Sequence, residues 1–343
     1  SASSSSITIQ GIPSGKTVFL TKTNPTSSTI SSTYTRYVTS ATGISLSNGD
    51  TESSGGTSSN PYGGHGGHGP KRDCTSISLN LALPKITEDS SRAASSSITK
   101  VTPAAYTQSD VGTATRQIYV DQDSSISTFK KESAVLRAVG EFCYVWVVSD
   151  NWTSSSADGE KINSEIAEKI ASNFDAMYLK IRNVFGEESD ELATNSSMSA
   201  KISMNEYSET GTIVNIVIYD IGKDYTRGTN SGDTVGYFYA KDYFYLSRAS
   251  DVYKYSNKGK YFYVDGYFAV NYTSEVYSTL AHEFQHMIDF GVKTMEQGIE
   301  TSTAHNEMKS MLCEDIMYAT LAALDSDFSE DDSPISRLPL FNR

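Results

Sequence analysis

Two of the five histidines in this 343-residue chain stand four residues apart around a glutamate, in Tyr277-Ser278-Thr279-Leu280-Ala281-His282-Glu283-Phe284-Gln285-His286-Met287-Ile288-Asp289-Phe290. At 3.6 residues per helical turn, His282 and His286 project from one face about 6 Å apart, close enough for two imidazole nitrogens to grip one Zn²⁺. Glu283 then points beside them, toward the metal's open position, where a carboxylate can take a proton from water. With 5 His and 19 Glu placed independently, such a pentad arises on the order of 0.004 times per chain, so chance is a poor account of it.

Two imidazoles alone hold a catalytic zinc weakly; a third protein ligand is required, with the fourth position left to water. The stretch Ala304-His305-Asn306-Glu307-Met308-Lys309-Ser310-Met311-Leu312-Cys313-Glu314-Asp315-Ile316 supplies candidates. Glu307, 21 residues after His286, opens a second helix that a turn and a short loop can bring antiparallel to the first. Glu314 is the alternative ligand and His305 a weaker one. Helical spacing puts Glu307, Ser310, Glu314 and Leu321 on one face and leaves Met311, Leu312, Ile316 and Ala319 to pack elsewhere.

Leu280-Ala281-His282-Glu283-Phe284-Gln285-His286-Met287-Ile288, followed about twenty residues on by Asn306-Glu307-x-x-Ser310, looks like a gluzincin, a zinc metallopeptidase whose third ligand is Glu. Together with the upstream Gly-Tyr-Phe-Tyr-Ala-Lys-Asp of Gly236–Asp242, it resembles the hyicolysin family of secreted bacterial metallopeptidases, over about Thr115 to Leu324. The resemblance implies an α+β, zincin-like catalytic domain with a mixed sheet, an active-site helix and a ligand-bearing second helix. It implies one catalytic Zn²⁺ on His282, His286 and Glu307, Glu283 as general acid and base, and protein or peptide substrates. Two departures stand out. The Asp that supports a zinc histidine in thermolysin-like gluzincins, four residues after the ligand Glu, is replaced by Met311, so that support must come from elsewhere, with Asp289 and Glu314 as candidates. Only 36 residues follow Glu307, short for a cleft-walling helical lobe, and the expectation is a catalytic unit truncated at its C-terminus. The metzincin pattern is excluded, because Asp289 and Val292 stand where it wants Gly and His.

The chemistry such a ligand set performs is peptide hydrolysis: zinc brings the pKa of a water to near 7, Glu283 moves the proton, and a further donor stabilises the oxyanion. Tyr318, His305 and Tyr239 are the donor candidates. An extended peptide satisfies its backbone by adding to a sheet edge, for which the Gly236–Asp242 strand, with Gly236, Tyr237 and Tyr239, is the candidate; a core strand with an aromatic face explains the same residues equally well.

The elements that must position these groups are legible from periodicity. Strand-like runs occur at Thr75–Leu83, Thr115–Val120 and Phe142–Val148. From Glu160 to Val184, Ile162, Ile166, Ile170, Phe174 and Tyr178 recur every fourth residue, an amphipathic helix. Thr212–Ile221 reads as a buried strand and Thr234–Leu246 as an aromatic strand or hairpin, while Val276, Leu280, Phe284 and Met287 form the apolar stripe of the His-bearing helix.

Composition bounds the rest. Lys+Arg 28 against Asp+Glu 41 gives −13, which disfavours nucleic acid and anionic membrane surfaces as partners, and no apolar run is long enough to span a bilayer. Residues 1–70 form the expected small β-module, rich in Ser and Thr, ending in the tether Pro61-Tyr62-Gly63-Gly64-His65-Gly66-Gly67-His68-Gly69-Pro70; residues 71–343 form the catalytic domain. His65 and His68 sit in so glycine-rich a tract that ordering them around an ion costs too much for a specific site. The acidic run 325–332 lacks the glycine and spacing of a Ca²⁺ loop, so Ca²⁺ is not supported. The three cysteines, Cys74, Cys143 and Cys313, are too few for a disulfide scaffold, and Cys143 reads as a small buried hydrophobe. Abundant Ser, Thr, Gly and Tyr with little Cys suits a bacterial exported protein, secreted or held at the cell surface by a lipid anchor upstream of Ser1. Two rival readings remain: a surface-binding or adhesive protein on a catalytically silent zincin fold, and a structural zinc site closed by His305 or Cys313.

Overall fold

Thr115–Asp121 (β1), Phe129–Val139 (β2) and Cys143–Val148 (β3) pair as successive antiparallel neighbours. The chain then forms the helix Ser164–Phe185 (α1), a small hairpin-like pair Glu191–Ala193 (β4) and Lys201–Ser203 (β5), a single turn Met204–Tyr207 (α2), and the strands Val214–Tyr219 (β6), Gly236–Phe238 (β7) and Lys260–Asp265 (β8). Three helices close the sequence of elements: Gly266–Asn271 (α3), Thr273–Asp289 (α4) and Thr303–Leu324 (α5). These are seen in a computed structural model that describes residues 98–324, apart from 157–160, 196, 228, 230, 231, 233 and 247–250. The front module, the tether with its histidines, Cys74, the Thr75–Leu83 run and the acidic run 325–332 lie outside the described residues.

The main sheet has the order β1-β2-β3-β6-β8-β7. Its centre, β3, β6 and β8, is parallel, and β7 returns antiparallel to β8 at the edge. Every residue of those three central strands is buried, as strands covered on both faces must be, and their sequences CYVWVV, VNIVIY and KYFYVD are correspondingly apolar or aromatic. One face carries the helices: Val145, Val147, Ile216, Ile218, Phe262 and Val264 pack with the apolar sides of α1 and α4. The other face is a second core, rich in tyrosine, that draws on Ile118, Val120 and Leu136 as well. The sheet curls so that its two ends meet: the Asn257 side chain exchanges hydrogen bonds with the backbone of Tyr119 at 2.8 and 3.0 Å, and Phe129 lies against Tyr239.

The long helix begins at Ser164, with the Asn163 side chain accepting from the Ile166 amide, and stops at Gly186, whose φ of 101° no residue with a side chain adopts easily. Its buried stripe presents Phe174 and Tyr178 to Phe284 of α4, with ring centroids 5.1 Å apart in both pairs. Cys143 is buried in the same core. The Thr234–Leu246 segment forms a paired strand only over Gly236–Phe238. Beyond it Lys241 and Asp242 turn inward, pair with each other at 2.8 Å, and engage the Tyr263 hydroxyl, which donates to Asp242 at 2.6 Å; two adjacent charges buried as one pair interrupt the strand pattern.

The His-bearing helix is fixed from both ends. Asp265, at the end of β8, accepts from the amides of Phe268 and Ile221 and so caps α3, which runs through Tyr272 into α4. After Asp289 the helix loosens into a π-helical stretch, Phe290–Glu296, a local widening often found beside functional groups. Gly236 sets the distance between the edge strand and α4. A Cβ there would lie 2.7 Å from Thr279 Cγ2 and 2.7 Å from the Tyr263 carbonyl oxygen. Gly236→Ala is therefore expected to lower stability by about 1–3 kcal/mol, read as a shifted urea midpoint, and Thr279→Ser on top of it should restore part of the loss. An unchanged midpoint would show that the strand is free to slide.

Candidate metal centre

The helix α4 is buried along almost its whole length, so its polar residues must find partners inside the protein. Val276, Leu280, Phe284 and Met287 anchor it in the core, His282 and His286 face α5, and Glu283 lies next to them; 95% or more of each of the three is shielded from solvent. The second helix runs antiparallel to the first, as the pairings His282 with Glu314, His286 with Ser310 and Asp289 with Lys309 require. It starts at Thr303, so Glu307 lies in its second turn and not at its opening.

Glu307 bridges the two rings. Its Oε2 is 3.2 Å from His282 Nε2 and its Oε1 is 3.4 Å from His286 Nε2. The ligand atoms of His282, His286 and Glu307 all fall within 4.8 Å of one another, and they form the single such cluster among the described residues. Nitrogen and oxygen ligands about 2.1 Å from a tetrahedral cation stand roughly 3.4 Å apart, so the spacing fits an ion of zinc's size. Two atoms of this cluster, His282 Nε2 and Glu307 Oε1, are buried without a well-aligned hydrogen bond, which is the condition a bound cation relieves. His305 is exposed on the first turn of α5 and Cys313 is buried in the core, and neither joins the cluster.

The reverse side of each ring is held from α5. His282 Nδ1 stands 2.7 Å from Glu314 Oε1, and His286 Nδ1 stands 2.9 Å from Ser310 Oγ. Ser310 donates its own proton to Gln285 Oε1. Burial disfavours the charged form of His282, but the Glu307 carboxylate close to Nε2, the hydrogen bond to Glu314 and the charges of Glu314 and Glu283 outweigh that and push its pKa up to about 10. Glu307 shows the converse: burial favours its neutral form, yet the close approach of the His282 and His286 rings holds it well below the usual carboxylate range. In the metal-free protein a proton on His282 thus stands in for the positive charge that the surrounding acids demand.

The other residues singled out by sequence are placed as follows. Asp289 pairs with Lys309 and not with His282 or His286, so of the two supporting acids named above it is Glu314 that reaches a ring. Tyr318, one turn past Glu314, is half-buried against the core. Gly236 lies on the edge strand against Thr279. Tyr237 and Tyr239 send their side chains into the tyrosine-rich core on the sheet's far face, where the Tyr237 hydroxyl donates to Asp121 at 2.9 Å. On α5 the buried residues are Ser310, Cys313, Met317 and Leu321, while Leu312, Ile316 and Ala319 are exposed, because the contact with α4 takes up the Glu307 face itself. Gln285 and Lys309 escaped sequence reading. Setting α5 antiparallel with Glu307 opposite His286 would have brought both into view.

No protein-family model matches the chain. A stretch of 175 residues, 49% of the chain, is 31% identical to the neutral metalloprotease ShpI of Staphylococcus hyicus. The match spans about a third of that protein's length, 32%. Over that stretch the chain is similar to a metalloprotease, and its described residues include a His-His-Glu cluster able to hold a metal ion.

Proposed function

We propose that this chain carries the catalytic domain of a secreted or cell-surface bacterial zinc endopeptidase of the gluzincin type, close to the hyicolysin family. The observation that carries the reading is the convergence of His282 Nε2, His286 Nε2 and a Glu307 oxygen from two antiparallel helices, with a buried Glu283 beside them. Similarity to a neutral metalloprotease supports the reaction class. A three-ligand cluster also favours a catalytic over a closed structural site, since it leaves a coordination position for water or substrate.

Bound there, Zn²⁺ would supply a Lewis acid that polarises the scissile carbonyl and brings the pKa of a water to near 7. The protein's own groups do the rest. Glu283 is fully buried next to His282, near enough for its charge to act on that ring. It takes the water's proton and returns it to the leaving amine. The substrate backbone adds to β7, the last strand of the sheet, which Gly236 holds against α4. With Tyr237 and Tyr239 turned to the far core, recognition along this strand falls to backbone hydrogen bonds. None of the described helices is long and apolar enough to cross a membrane.

Glu283→Gln is expected to lower kcat/KM for a protein substrate at least a hundredfold while about one zinc per chain stays bound, as shown by metal analysis beside a casein-cleavage assay. Cleavage at the wild-type rate would remove Glu283 from the role of base. Zinc loading also has a pH signature. The metal-free His282 keeps its proton up to pH about 10, and zinc needs the neutral ring, so loading at pH 7 should release about one proton from it and affinity should fall as pH is lowered. Calorimetry in two buffers of different ionisation enthalpy measures that proton directly, and zinc binding without proton release would contradict the arrangement.

A further inference from the structure

The side chain four residues after Glu307, where a thermolysin-like gluzincin has a supporting acid, is Met311 and brings no charge. The structure supplies an acid from a different place on the same helix. At 100° per residue, positions four and seven beyond Glu307 both return to its face, about 40° to one side and about 20° to the other. Glu314 occupies the second of these. It is 10% exposed, and its Oε1 lies 2.7 Å from Nδ1 of His282, the ring nitrogen turned away from Glu307.

The spacing of the pair on α5 matches the spacing on α4. His282 and His286 are four residues apart, a rise of about 6 Å, and Glu314 and Ser310 are four residues apart on the antiparallel partner. Each zinc-facing ring therefore has one partner directly behind it, Glu314 behind His282 and Ser310 behind His286. The two partners differ in strength. Ser310 accepts from His286 Nδ1 while its own proton goes to Gln285, a relay of neutral groups. Glu314 is a carboxylate accepting from an imidazole N–H, a charge-assisted bond.

We propose that Glu314 is the positioning residue of this centre: it accepts the Nδ1 proton of His282, holds that ring in the tautomer whose Nε2 lone pair faces the metal, and raises the ring's strength as a ligand. The proposal rests on the zinc reading given above. Glu314 meets the ring at Nδ1, on the side away from the Glu307 carboxylate, and it is not one of the three clustered ligand atoms. A carboxylate behind a metal-bound imidazole sets both ring orientation and basicity, and loss of such a partner commonly weakens metal binding 10–100-fold. Ser310, with no formal charge, contributes orientation to His286 and less electronic push.

The test uses the full chain and zinc itself, with dissociation constants obtained by competition against a chromophoric chelator. Glu314→Ala is expected to weaken zinc binding roughly 10–100-fold. Glu314→Gln keeps an acceptor oxygen of the same reach and should fall between Glu314→Ala and the wild type, with Ser310→Ala losing less than Glu314→Ala. Glu314→Gln is nearly isosteric, and its urea midpoint in the metal-free state serves to separate a weakened site from a damaged fold. Cobalt substitution then reports the coordination sphere: visible bands of unchanged intensity in Glu314→Gln support a residue behind the ring, and a change of intensity that marks a lost ligand overturns the proposal. Zinc affinities of both Glu314 variants within twofold of the wild type also overturn it while leaving the zinc reading intact. A wild-type chain that takes up no zinc overturns both.

Discussion

Two carboxylates and two imidazoles, Glu307, Glu314, His282 and His286, meet in one seam between two helices with the fully buried Glu283 beside His282, and this concentration of negative charge, largely shielded from water, is the constraint on which the site depends. Burying a carboxylate is costly unless a cation or several donors face it. Without a metal, the protein meets that demand with a proton on His282, which the neighbouring acids hold on the ring far above its ordinary pKa. A divalent cation meets it better, since it can face both imidazole nitrogens and a carboxylate at once. The capacity of the cluster to hold a metal ion thus follows from the charges the fold brings together with little solvent around them.

Holding such a seam closed is a task for the scaffold. The His-bearing helix is packed on the sheet through the edge strand and β8, on α1 through Phe174, Tyr178 and Phe284, and on α5 through the polar seam itself. Lys309 with Asp289 adds an ion pair at the end of the seam, beside the residue pair Gln285 and Ser310. Apolar packing on three sides excludes water, and with water excluded the few polar contacts on the fourth side gain in strength. The widening of the helix into a π-helical turn directly after Asp289 lets the chain leave the seam toward the loop before α5.

Some of this could be read before any coordinates. The His-x-x-x-His spacing, the apolar stripe of the helix, the i+4 repeat of α1 and the β-branched run of β6 are local properties, and each marks its element by period alone. Other elements were silent. In β2, FKKESAVLRAV, charged residues at one end obscure the alternation, and its pairing with two neighbours over eleven residues is what makes it a strand. In β8, KYFYVD, six residues buried on both faces show no alternation to detect. The aromatic segment after Gly236 reads as a longer strand because nothing in its composition reveals that Lys241 and Asp242 will be buried as a pair.

The sequence by itself determined the chemistry on offer: two imidazoles and an acid on one helical face, a second acid-bearing helix downstream, and an acidic chain ill suited to polyanions. Those follow from residue type and helical period, which act over a few residues and need no knowledge of the fold. Tertiary structure decided which acid meets which ring. That Glu307 faces both Nε2 atoms, that Glu314 stands behind His282 while Asp289 goes to Lys309, and that Tyr237 and Tyr239 turn away from the centre all depend on the register of α5 against α4 and on the curl of the sheet. Register and curl are set by the packing of residues distant in the chain, where no local spacing can specify them.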